Sequence, residues 1–182
     1  MTRFRRATIV LLILGFVVAT AAGTQADDGG GRTITMLDDC DPNGGWEVVP
    51  GGCQKKRGTV TLAEFNAELD SPLAAAVIGH PSWRYDPPYL VVKQGKSLRI
   101  RNRGGRPHTF TKVVNFGGGV VPPHNEGLAP ATECAAAVTI PAGGSTRISG
   151  LTVGSHRFQC CFHPWQRAVV EVAPNTGGDD DD

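Results

Sequence analysis

Methionine is nearly missing from this 182-residue sequence: there are two, and one is the initiator. A strong excess of charge is missing too. The formal net charge is +1, so no broad basic field points to a nucleic-acid partner. After the first two dozen residues no segment is long and apolar enough to cross a membrane. There is no internal repeat and no low-complexity core. What is plentiful is 24 Gly and 13 Pro, which break helix interiors and exclude a bundle of long helices. Hydrophobic residues make up 40% of the chain, enough to build a core and to exclude a wholly disordered protein. The length suits one domain with extensions.

Residues 1–26 read as a secretory signal peptide. Arg3, Arg5 and Arg6 form its basic start, Ala7 to Val18 its apolar stretch, and Thr24-Gln25-Ala26 a small-x-small cleavage site. Cuts after Ala21 or Gly23, or an uncleaved anchor, are the other readings. The surroundings of Arg5-Arg6 fit the twin-arginine route poorly, which favours general export. Subtracting the three arginines from +1 leaves a mature chain of −2. Export predicts a periplasmic or extracellular protein in which disulfides persist. The mature chain carries five cysteines, so one is free, intermolecular or bound to something else.

Residues 27–75 form an N-terminal extension. Thr33 to Leu37 suits a short strand. Cys40 and Cys53 bracket a turn-rich loop that suits a local disulfide. Thr61-Leu-Ala-Glu64 fits a capping box, and Phe65 with Leu69 continues one apolar face, which predicts a helix over 61–69. From residue 76 to 173 the pattern changes to short strands: Tyr89 to Val92, Leu98 with Ile100, His108 to Val114, Val138 to Ile140, Ser145 to Ile148, His156 to Cys160 and Ala168 to Val172. A long Gly/Pro loop spans Asn115 to Cys134. Such strands with turns between them predict an antiparallel sandwich. Residues 174–182, ending in four Asp, read as a solvated, disordered tail.

Chemistry concentrates in Cys160-Cys161-Phe162-His163-Pro164-Trp165-Gln166. The order does not supply the Cys-x-x-Cys-His of haem attachment. Alone, Cys-x-x-His also fits a reduced buried Cys beside an incidental His. A thiolate with two imidazoles suits a trigonal copper site, and His108, after Pro107 and between two alternating strands, is placed to supply the second imidazole. Here the chain resembles the cupredoxin family of blue, type 1 copper proteins, its amicyanin-like and plastocyanin-like members in particular. Val92 to Asn102 looks like the strand that leads through Arg103-Gly-Gly-Arg-Pro107 into the first ligand His. Gly154-Ser-His-Arg-Phe158-Gln-Cys160 looks like the strand that delivers the Cys ligand, and Cys160-x-x-His163 like the short ligand loop.

The resemblance implies an all-β, Greek-key sandwich with a small N-terminal extension containing one short helix. It also implies one copper ion held by His108, Cys160 and His163. Gln166 stands where the short-loop type usually carries Met, as in stellacyanin-like members, and Gln is an accepted axial ligand. A solvent-facing Gln166 is the other reading. Thr109 stands where many members have the Asn that ties the ligand loops together. With Cys160 given to copper, the four other cysteines allow three pairings. Cys40 with Cys53 is expected, leaving Cys134 with Cys161. The reverse choice, Cys161 as ligand, fits the family spacing less well. In the family the second His reaches the surface through an apolar patch, which marks Phe162, Pro164 and Trp165 for partner docking. His80, His124 and His156 read as structural or exposed. A second metal site of His80, His124 and Glu126 is a further reading.

These features predict an exported one-electron carrier rather than an enzyme, a monomer with no membrane span in its mature form. Its redox partner would be a cytochrome or a copper or quinone oxidoreductase. The rival readings are a copper carrier or storage protein, and a metal-free interaction module on the same scaffold.

Overall fold

The computed structural model describes residues 32–70, 79–125 and 127–175. The expected signal peptide, the acidic end of the tail and Glu126 lie outside the described residues.

Ten strands are described: β1 (Arg32–Leu37), β2 (Arg84–Asp86), β3 (Tyr89–Lys93), β4 (Leu98–Asn102), β5 (His108–Thr109), β6 (Thr111–Val113), β7 (Thr139–Ile140), β8 (Ser145–Ile148), β9 (Gly154–Gln159) and β10 (Arg167–Ala173). Two four-stranded sheets form, ordered β2-β1-β4-β8 and β3-β10-β9-β6, with β5 and β7 paired separately. The alternation of Leu98, Ile100 and Asn102 with Arg99 and Arg101 turns the apolar side of β4 inward, as period-2 patterning requires. Ile34, Met36, Tyr85, Leu98 and Ile100 of the first sheet meet Val92, Phe158, Val170 and Val172 of the second in one buried core. The protein is thus a β-sandwich with one short helix.

Two pairings depart from the antiparallel expectation: β1 runs parallel to β4, and β3 parallel to β10. Each brings together strands far apart in sequence, a tertiary choice that strand patterning does not encode. The first also means that β1, read as part of an extension, sits between β2 and β4 inside the sandwich. Met36 accordingly lies in the same core as Cys160.

The helix α1 (Leu62–Leu69) starts where the capping box predicted. Thr61 Oγ1 accepts from the Glu64 amide at 3.1 Å, and the Glu64 carboxylate accepts from the Thr61 amide at 2.8 Å. Its Phe65 packs with Cys40, Trp46 and Trp83 in a second small core. Cys40–Cys53 is bridged beside it, and Cys134–Cys161 is bridged across the long loop. That loop is not featureless: it contains a 3-10 turn at Pro122–His124 and leads into another at Thr132–Ala136. Thr61→Ala removes a helix cap and should cost about 1 kcal/mol of stability; denaturant unfolding measures it.

Candidate metal centre

Three segments converge at one end of the sandwich. His108 opens β5 directly after Pro107. Cys160 follows β9, and His163 lies in the tight connection to β10. That connection is closed by two backbone bonds, from the Gln166 amide to the His163 carbonyl (2.9 Å) and from the Cys160 amide to the Gln166 carbonyl (3.0 Å). Cys160 Sγ is 3.8 Å from His108 Nδ1 and 3.6 Å from His163 Nδ1. The three donors lie within 4.8 Å of one another, and all three residues are buried. With bonds of roughly 2.3 Å to sulfur and roughly 2.0 Å to nitrogen, a trigonal ion would separate S and N by about 3.7 Å. The donor set therefore fits a metal ion without rearrangement. Among the described residues it is the one such group of His, Cys, Asp or Glu.

The residue that sequence reading missed is Asp38. It follows β1, and its fully buried carboxylate meets His108 Nε2 at 2.9 Å. The same carboxylate accepts the Gly105 and Arg106 amides, both at 2.9 Å. This carboxylate–imidazole pair holds the proton on Nε2 and leaves Nδ1 to face Cys160, an arrangement that raises ligand basicity at metal sites. A Cβ on Gly104 would overlap the Asp38 carboxylate. The Gly104-Gly105 pair before His108 was therefore a sequence signal that something approaches closely there.

Titration follows from this packing. Burial opposes a charge on His108, but hydrogen bonds to Asp38 and Cys160 outweigh it and raise its pKa to about 9. Burial pushes the Cys160 thiol up, yet His108 and the Thr109 amide bring it below its usual value. Asp38 is likewise held low against burial, by His108 and the two amides. His163 goes the other way: burial, with the neighbouring His108 charge, drives it well below 6.5. It therefore presents a neutral nitrogen near pH 7.

Gln166 is fully buried rather than solvent-facing. Its Nε2 donates to the Leu37 carbonyl at 3.1 Å, while its Oε1 has no hydrogen-bond partner. The side chain lies close enough to His163 to favour that ring's charged form. A buried carbonyl oxygen left over beside a donor set is what an axial metal contact would use. Thr109 links the His108 and Cys160 segments: its amide donates to Cys160 Sγ at 3.4 Å, and its hydroxyl accepts the Cys161 amide at 2.8 Å. Tyr85 OH donates to the Thr109 carbonyl.

The docking patch expected around His163 takes a different form. His163 is 5% exposed and Pro164 is buried, with Phe162 and Trp165 half-covered. Aromatic rings surround the imidazole: Trp165 at 5.5 Å, His124 at 5.8 Å, Phe65 from α1 at 6.3 Å and Trp83 at 6.5 Å. Trp165 lies flat over Gly79, at φ +61°, where any Cβ would overlap the indole. The N-terminal segment, through α1, thus supplies part of a lid over the second imidazole. The other histidines are buried or half-buried and bonded locally: His80 Nδ1 accepts the Ser82 amide, His124 Nδ1 donates to the Phe162 carbonyl, and His156 Nε2 donates to the Thr152 carbonyl.

No protein-family model matches the chain, and no curated protein does. Solved structures do resemble it. One is a novel purple cupredoxin from Nitrosopumilus maritimus, with 15% identity over 78% of this chain and 99% of that one, at a TM-score of 0.40. Others are amicyanin variants. One, in its reduced state, shows 24% identity over 50% of this chain and 73% of that one, at a TM-score of 0.35. A Cu(I) form shows 24% identity over 51% and 76%, at 0.36. These are likenesses of outline; the chemistry of the site stands on its own atoms.

Two outcomes are expected. His163, His80 and His124 all have lowered pKa values, chiefly through burial, so each contributes stability above 6.5 that is lost as pH falls. Raised His108 adds no opposing slope below 6.5, because it is protonated in both states there. Acid titration of the metal-free protein should therefore show a thermal midpoint that drops as pH goes below 6.5; a flat profile would contradict this. Asp38→Asn should cost about 3 kcal/mol in the metal-free protein, as expected for breaking a buried charged pair, and weaken metal binding about 10- to 100-fold.

Proposed function

We propose that the protein is an exported type 1 copper protein that carries one electron. The observation that carries this reading is the convergence of one buried free thiol and two imidazole Nδ1 atoms at trigonal spacing. His108, Cys160 and His163 would hold the ion, with Gln166 Oε1 as the weak axial contact. Bound copper would supply a one-electron Cu(II)/Cu(I) couple. The chain supplies the rest. Asp38 fixes the His108 ring, the Thr109 amide supports the thiolate, and the aromatic lid keeps water from His163. Donors held this rigidly need little rearrangement when charge changes, which suits outer-sphere electron exchange in which no bond breaks and no proton moves.

Burial also separates this reading from its rivals. A carrier that hands on the ion itself needs donors within a partner's reach, and here all three are covered. A metal-free module leaves a buried thiol and an unpartnered Gln166 oxygen without a purpose. Two disulfides support an oxidising compartment. No helix among the described residues is long and apolar enough to cross a membrane. The redox partner would be a cytochrome or a copper or quinone oxidoreductase, met in a brief encounter.

Loading the full mature chain with Cu(II) should give an intense thiolate-to-copper absorption band that disappears in Cys160→Ser. A protein that binds zinc tightly but stays colourless with Cu(II) would overturn the reading. An amide oxygen is a harder donor than a thioether and favours Cu(II). Gln166→Met should therefore raise the reduction potential, and an unchanged or lower potential would remove Gln166 from the ligand set.

A further inference from the structure

The outer face of the first sheet carries an arrangement that the fold does not need. Arg99 on β4 stands directly across from Arg147 on β8. Arg101, two residues along, is on the same face opposite Ser145. The neighbouring strand β1 offers Thr33 and Thr35 beside them, with no acid. Arg84 and Arg103 extend the positive stretch at one end, both exposed. The carboxylate nearest in this sheet is Asp86, separated from Arg101 by Thr35. None of these five guanidiniums makes an ion pair among the described residues. Like charges directly opposed across an antiparallel pair destabilise a sheet. A chain of near-zero net charge has no general need for such a cluster.

The face continues into a polar cleft of about 450 Å³ lined by Lys55, Arg101, Arg103 and Gly143. Lys55 is partly occupied there, bonded to Asp39 and to the Asp38 carbonyl. Arg101 and Arg103 are free to receive an incoming acid. We infer that this face docks an acidic protein surface, with a partner carboxylate entering the cleft between Arg101 and Arg103. Arginine forks bind carboxylates bidentately, which a flat sheet can present in rows. The face has no aromatic ring on which a nucleobase could stack. Its large apolar side chain among the described residues, Leu37 opposite Arg84, is half-buried, which leaves little to enter a lipid boundary. Four strands at roughly 4.8 Å by five residues at roughly 3.3 Å give about 300 Å² a side, the scale of a brief encounter rather than a permanent complex. The inference does not depend on copper and is tested without it.

The experiment titrates the ¹⁵N-labelled full mature chain, metal-free, with a Glu-rich peptide at low and physiological ionic strength. Amide shifts should map to β4, β8 and the cleft, and binding should weaken with salt. Arg147→Gln should weaken binding about five-fold, the effect of one exposed charge contact. Arg147→Glu should weaken it further and at the same time raise the thermal midpoint, because it sets an opposite charge across from Arg99. Unchanged binding in both variants, shifts elsewhere on the surface, or no rise in midpoint would overturn the proposal. Tighter binding of heparin or of phosphatidylglycerol vesicles than of the peptide would overturn it too, in favour of a polymer or membrane face.

Discussion

The candidate site depends on one buried carboxylate. Asp38 is sealed from water, and an ionised group there is tolerable only if its oxygens are bonded. Gly105 and Arg106 supply two amides and His108 an imidazole N–H. Meeting that demand fixes the path of the chain from Gly104 to Thr109, and with it the direction of His108 Nδ1 toward Cys160. The adjoining carbonyl of Leu37 holds the Gln166 side chain. The end of a single strand thus orients residues from two sides of the site, the first imidazole and the candidate axial oxygen.

The segment before residue 76 consequently has two tasks that a peripheral extension would not. Through β1 it is the strand that joins β2 to β4 and the wall behind His108. Through α1 and the Cys40–Cys53 loop it builds the small aromatic core whose Phe65 and Trp83 reach the His163 ring. Closure of that ring removes water from the site and lowers the imidazole's affinity for a proton. Both effects leave His163 with a neutral nitrogen near pH 7.

Much of this was legible in sequence where the cause is local. The capping box at Thr61 and Glu64 fixes the helix start through contacts three residues apart. The alternation around Leu98 and Ile100 sets which side of β4 faces inward. The spacing of Cys160 and His163 brings two donors together through one tight turn, and with Cys160 set aside the short span from Cys40 to Cys53 favours, among three possible pairings, the one found. Asp38 was not legible, because it meets His108 across 70 residues and no local pattern marks it; only the paired glycines before Pro107 hint at the close approach. The parallel pairing of β1 with β4 and the ring of aromatics over His163 are likewise tertiary outcomes. An expectation of a surface-reaching imidazole, taken from resemblance, could not see a lid supplied by another part of the chain.

The most direct test of the central claim is X-ray absorption at the copper edge of the loaded protein. The expected result is copper bound by one sulfur and two imidazole nitrogens, present in both oxidation states with little change in distance. A shell of nitrogen and oxygen alone, without sulfur, would contradict it.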